Sequence, residues 1–245
     1  MSLPTGGKYR ALLLALVVVV LVFPLLHRTP GTRLILHSLI SLLFLTATLA
    51  VFPTRRLRVV AVVLGTPTLL GLWTGYLLPG VARVPAGVTF HVFAAGFFVF
   101  TIGVILQSLH HEKEVTADSV YGAFCGYLLA GLAFGNVFNV LELLEPGSFQ
   151  GDAFVREVSD ERRHFLLTYF SFITLTTVGY GDITPGSDSV RGLAAVEAIV
   201  GQFYIAVLVA ELIGKSVSSA RPVPPSNRKS EVPPEAPTGH RGGAE

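Results

Sequence analysis

The sequence predicts an all-α membrane protein with six transmembrane helices and a re-entrant helix with an extended loop between the fifth and the sixth. Three observations predict it. Apolar runs of about 20 residues recur along the 245 residues, the length that crosses a hydrocarbon core of about 30 Å. Only 14% of residues are charged, against about 25% in soluble domains, and mean hydropathy is +0.62. The last two long runs are separated by a shorter one that leads into Thr176-Thr177-Val178-Gly179-Tyr180-Gly181-Asp182.

The first run, 11–26, is short and follows Lys8 and Arg10, which resembles the start of a signal peptide. No small-residue cleavage site follows, and Pro24, His27 and Arg28 end the run, so a retained helix is expected. The second run is 34–52, broken by Pro53-Thr54-Arg55-Arg56. The third, 59–78, carries Pro67, whose missing N–H predicts a kink. The fourth is 87–109, the fifth 117–144 and the sixth 190–213. Residues 146–162 are polar and predict an exposed turret, with Ser159 or Asp160 capping the next helix and Glu161 in its first turn. The run 164–175 is too short to span, and a half-spanning helix is tolerated only where protein or water surrounds it. Residues 221–245 are rich in Pro, Gly, Ser and charge and read as disordered.

The domains expected are therefore a cytoplasmic N-terminus over 1–10, a four-helix module over 11–109, an interfacial linker over 110–118, a two-helix domain with its loop over 119–215, and a tail over 216–245, too short for a separate ligand-binding domain. Arg55, Arg56 and Arg58, with Lys8, Arg10, Lys215, Arg221, Arg228 and Lys229, place both termini in the cytoplasm. Arg28, Arg33, Arg83, Arg156, Arg162 and Arg163 lie on the opposite side and make the bias modest. A net charge of +2 and a pI near 8.8 are too mild to indicate nucleic acid. Cys125 is the only cysteine, which excludes an intrachain disulfide and a thiolate cluster. No nucleophile–base pair, phosphate loop or metal-ligand cluster marks the apolar segments, so the chain does not read as an enzyme.

The loop carries the chemistry. A backbone whose residues alternate between ordinary and left-handed dihedrals turns successive carbonyls the same way, and glycine tolerates the left-handed ones. Gly179 and Gly181, two apart, match that alternation. The carbonyls of Thr177, Val178, Gly179 and Tyr180 then form a column of hard oxygens, with the Thr177 hydroxyl at its inner end. Val178 and Tyr180 point away and Asp182 closes the outer mouth. Such a column holds a dehydrated alkali cation if four copies meet on an axis. The bland alternative is a glycine turn in a membrane loop.

At these residues the chain resembles the potassium channel superfamily, specifically its two-helix-plus-filter pore module, over 117–215. The resemblance implies a potassium selectivity filter of backbone carbonyls, Thr177 to Gly181, supported by Thr176 and Asp182. It implies a homotetramer in the plasma membrane, potassium ions in the filter, no organic cofactor, lipid contacts and no nucleic-acid partner; no regulatory partner is identified. An aromatic donor thirteen residues before the filter aspartate is Tyr169 here, whose hydroxyl reaches for Asp182. The glutamate that some members place nine before it is Ile173, so that carboxyl pair is absent. Gly201 stands where the family often has a gating hinge; a tight helix–helix contact is the other reading. Ile205, Val209 and Ile213 line the lower pore in that register, or pack on the fifth helix.

Glu197, a carboxylate within the sixth run, is costly there and is expected to brace the short helix through Thr174 or Thr176. Glu211 reads as an interfacial carboxylate. The fourth run has no Lys or Arg and only His91 as a titratable group, so it lacks the charge series of a voltage sensor. His110-His111-Glu112-Lys113-Glu114 reads as a solvated linker, since neighbours on a helix do not face each other. The alternatives to a selective channel are a weakly selective cation channel, against which Tyr180 argues, and a potassium transporter subunit, against which the single loop argues.

Overall fold

The computed structural model describes residues 7–26, 32–77, 83–112, 115–151 and 159–219. The turret segment 152–158, the tail beyond 219 and the first six residues lie outside the described residues, and with them the expectation of a disordered tail. Among the described residues seven helices follow in the order α1 Lys8–Leu26, α2 Arg33–Val51, α3 Arg55–Leu77, α4 Arg83–His111, α5 Ala117–Leu144, α6 Asp160–Leu175 and α7 Asp188–Ser219. Two short strands, β1 Phe149–Gln150 and β2 Thr184–Pro185, pair antiparallel.

Among the described residues, α2, α3, α4, α5 and α7 are long and apolar enough to cross a membrane. Helix α1 has 19 residues and packs on α2 and α5. Helix α3 runs unbroken through Pro67. Helix α6, with 16 residues, is about 24 Å long, short of the bilayer core at about 30 Å.

The local signals explain the helix ends. Thr116 and Ser119 form a reciprocal capping box at the start of α5. The Ser159 hydroxyl accepts from the Arg162 N–H, and Asp160 and Glu161 fill the first turn of α6. That helix therefore starts four residues before the apolar run, inside what sequence reads as turret. The turret is also less exposed than expected: Phe149 is buried, edge-on to Phe138 and Phe170, and β1 ties it to the segment that follows the filter-like loop. The helical register of α4 runs through His110 and His111, and α7 continues to Ser219, past the expected end.

Helix α5 is the hub, touching α1, α4, α6 and α7. Small residues let backbones approach closely where lipid gives no hydrophobic drive. Gly131 and Gly135 of α5 do this toward α6: a Cβ would come within 2.5 Å of the Phe172 ring at the first and 3.0 Å of Thr168 Cα at the second. Toward α4, His91 Nδ1 donates to Asn136 Oδ1 at 2.8 Å, and the His164 ring of α6 lies 5.0 Å from that of His91. Toward α1, the Tyr9 N–H donates to Asp118 Oδ1 at 3.1 Å. An ion pair closes the outside of the bundle: Arg33 at the start of α2 meets Glu161 at the start of α6, with Nε–Oε1 at 3.2 Å and Nη2–Oε2 at 3.3 Å.

Candidate functional site

The loop begins where α6 runs out of residues that can continue it. Thr176 caps the helix, its N–H donating to Phe172 O at 3.1 Å and its hydroxyl to the same carbonyl at 2.7 Å. The Thr177 N–H then donates to Thr174 O at 2.9 Å, and the N–H groups of Val178 and Gly179 both donate to Ile173 O, at 2.9 and 3.2 Å. The last carbonyls of a helix lack partners within it; here the loop supplies them. The loop's donors are thus turned toward α6. Among the described residues, no backbone N–H donates to the carbonyls of Thr177 to Gly181.

Left-handed dihedrals occur at every second residue: φ is 58° at Thr177, 54° at Gly179 and 77° at Gly181. The two glycines are where sequence places them. Thr177 is not foreseen by composition, because a β-branched residue at positive φ is strained by about 1–2 kcal/mol. Strain of this kind concentrates at functional sites. Its side chain is engaged by a residue that sequence reading missed: Gln202 Nε2 of α7 donates to Thr177 Oγ1 at 3.4 Å. All residues from Thr176 to Asp182 are exposed in the single chain, Val178 at 52% and Tyr180 at 72%.

The far end of the loop is fixed as the resemblance implies. The Tyr169 hydroxyl donates to Asp182 Oδ2 at 3.0 Å, and the other carboxylate oxygen takes the Ile183 N–H at 3.1 Å. Ile183 is buried and Thr184 enters β2, so the chain leaving the loop is anchored on the turret strand.

Glu197 does sit behind α6, fully buried, but not on the partners expected. It bonds to the hydroxyl of Ser171, not to Thr174 or Thr176. The correction follows from the crossing of α6 and α7, which brings Ser171 opposite Glu197 and leaves Thr176 to bond its own helix. Ser171 Oγ also lies 2.7 Å from Gly131 O of α5. A serine has one proton to give and the Gly131 carbonyl can only accept. Both contacts are hydrogen bonds only if Glu197 is the donor to Ser171, that is, if it carries a proton. The three helices α5, α6 and α7 then meet in one chain of hydrogen bonds, Glu197 to Ser171 to Gly131.

Two tyrosines complete the frame. Tyr127 of α5 donates to Leu175 O, the last residue of α6, at 3.2 Å, and Tyr204 of α7 donates to Ala123 O at 2.8 Å. Gly201 faces the same Leu175 carbonyl so closely that a Cβ would overlap it, which is the geometry of a tight contact. Ile205, Val209 and Ile213 are exposed on α7 at 44%, 46% and 59%. At the other end of α7, Glu211 Oε1 stands 3.5 Å from His110 Nδ1. Among the described residues there is no cluster of three or more His, Cys, Asp or Glu side chains able to hold a metal.

Comparison with known proteins places this region. Residues 128–216 match a family described as "Ion channel". A two pore potassium channel a from Oryza sativa subsp. japonica is 36% identical over 62 residues, 24% of this chain. The chain spans 18% of that relative's length. No solved structure matches the chain.

Proposed function

We propose that this chain, whose residues 128–216 match a family described as "Ion channel" and which over 62 residues is similar to a two pore potassium channel, conducts potassium passively down its gradient through a pore on the axis of four copies. One observation carries this reading: left-handed backbone at Thr177, Gly179 and Gly181, with the N–H groups of Val178 and Gly179 tied to Ile173 O. Such a strand offers its carbonyls from Thr177 to Tyr180 on one side. Four strands make cages of eight or so oxygens that replace the ion's water. Helix α6 acts as a re-entrant pore helix, and its C-terminal end adds a partial negative charge near the pore centre that favours a cation.

The oligomer follows from what one chain leaves bare. Val178 and Tyr180 support the filter from behind, and in one chain they stay 52% and 72% exposed; a neighbouring copy covers the rest. Six spans, with α1 as the first, put both termini in the cytoplasm and the Asp182 mouth outside, in the plasma membrane. Thr176, Asp182, Tyr169 and Glu197 hold the filter; Ile205, Val209 and Ile213 face the inner pore, and Gly201, packed against Leu175 O, is the point on α7 at which the gate works.

Purified protein in liposomes tests this. The assembly should have a mass near four times 26.2 kDa. In potassium–sodium mixtures its reversal potential should follow potassium. A reversal potential near zero in opposed potassium and sodium solutions would instead indicate a weakly selective cation channel.

The leading helices predict the voltage response. A sensor gains about 2.3 kcal/mol per charge per 100 mV, and α4 holds no Lys or Arg after its first residue, Arg83. In symmetric potassium, conductance should change little between −100 and +100 mV (a range of roughly 200 mV, over which one gating charge is worth about 4.6 kcal/mol). A steep sigmoidal curve refutes this.

A further inference from the structure

From Gly192 to Ala210, helix α7 is apolar apart from three side chains, Glu197, Gln202 and Tyr204. Glu197 bonds to Ser171 of α6, and Tyr204 to Ala123 O of α5. Gln202 is exposed, and its hydrogen bond goes to the loop: Nε2 donates to Thr177 Oγ1 at 3.4 Å. Ile205, Val209 and Ile213 follow it three, seven and eleven residues on, which sets all four on one face of the helix. An amide facing hydrocarbon is costly, so the face that begins with Gln202 meets water or protein and not lipid tails.

Thr177 shows what the amide is for. Among the described residues it is the one non-glycine residue with positive φ. Glycine takes such a dihedral without strain, as Gly179 does two residues on. What threonine adds over glycine is a methyl and a hydroxyl. The neighbouring Thr176 spends its hydroxyl on Phe172 O, whereas the Thr177 hydroxyl meets α7. A hydroxyl has two lone pairs and one proton. One lone pair takes the Gln202 N–H, which leaves the other for a cation and fixes its direction. Gly201, seated against Leu175 O, sets the depth of α7 here, so the amide one residue on stands at a fixed height beside the loop.

We propose that Gln202 is a positioning residue for the innermost ion site: its amide orients the Thr177 hydroxyl, and four such pairs set how tightly that site holds a dehydrated cation. The inference rests on the pore reading and adds to it a residue outside the filter. A hydroxyl already held by a hydrogen bond loses less freedom when an ion binds, and the effect recurs in each of four copies.

The test uses the full chain in planar bilayers, with symmetric potassium and barium on both sides. Barium is close to potassium in size with twice the charge, so it reports how firmly an oxygen cage holds a cation. Gln202→Leu should raise the half-inhibitory barium concentration at least about tenfold, equivalent to ~1.4 kcal/mol. Gln202→Asn keeps the amide but sets it one methylene back, out of reach of a contact already at 3.4 Å, and should do the same. Thr177→Val removes the hydroxyl. In that background Gln202→Leu should change barium inhibition no further, because a residue acting through a partner has no effect once the partner is gone. Reversal potentials in potassium–sodium mixtures should stay at the wild-type value in both Gln202 variants, since the cages beyond Thr177 keep their own carbonyls.

Wild-type barium inhibition in Gln202→Leu or in Gln202→Asn overturns the proposal, as does an equal effect of Gln202→Leu with and without the Thr177 hydroxyl. Loss of selectivity or of all current in Gln202→Leu also overturns it, since that marks collapse of the whole filter. Should Thr177→Val not conduct, the Leu and Asn variants decide alone. A wild type that does not select potassium overturns the pore reading and this inference together; a selective wild type whose Gln202 variants keep its barium inhibition overturns this inference alone.

Discussion

Potassium uptake into liposomes is expected to fall at least about tenfold in Gly201→Ala, a change equivalent to ~1.4 kcal/mol. Overpacking a close contact typically costs about 1–3 kcal/mol, and here the new methyl meets the backbone carbonyl of Leu175, which cannot rotate away. The helix α6 must move instead, and with it the carbonyls of Ile173 and Thr174 that position the loop. The control is Gly192→Ala on the same helix. A Cβ there meets nothing within 4 Å, and alanine favours a helix over glycine by about 1 kcal/mol, so uptake should be unchanged. The residual current distinguishes the two readings of Gly201. If it is a contact that sets the filter, selectivity for potassium over sodium drops with the flux. If it is a hinge, open probability falls while the reversal potential stays put.

A second large effect is expected at Glu197, and it depends on the substituent. Glutamine at this position donates an amide N–H to Ser171 as the protonated carboxyl does, so Glu197→Gln should keep wild-type uptake and thermal stability. Glu197→Ala removes the donor and opens space in a fully buried site; losses for such truncations run at about 2–5 kcal/mol. Its denaturation midpoint, followed by loss of the assembled species in detergent, should drop well below both others, and its uptake with it. If Gln is as damaging as Ala, the carboxyl does not carry the proton that the Ser171 and Gly131 contacts require.

Much of the loop was legible because its chemistry restricts residue type strongly. Gly179 and Gly181 are two apart since only glycine takes left-handed dihedrals freely, and both have positive φ. The pairing of Tyr169 with Asp182 is implied by the resemblance to potassium channel pores, and the two do bond. What was missed depends on how helices cross. No period in the sequence says which α6 residue meets Glu197, and the reading chose threonines one turn away from Ser171. The start of α6 is legible from its cap and not from its apolar pattern: Ser159 caps the helix, and Asp160 and Glu161 fill a charged first turn that precedes the apolar run. The two-residue strands β1 and β2 are shorter than any alternation can signal. Gly131 and Gly135 read equally well as flexible points or close contacts until Phe172 and Thr168 appear opposite them.

The uneven burial of the last two long helices bears on how the protein matures. Within one chain, 61% of the apolar window of α5 is buried but only 11% of that of α7. A newly inserted polypeptide would thus hold its final segment mainly by a few tyrosine and glycine contacts, with most of its flank against lipid. Completion of the native state becomes a second-order event that depends on how many sister chains share the same patch of bilayer. Dilution in lipid should therefore loosen α7 first, making the C-terminal third of the chain the part most readily cleaved by protease when expression is low.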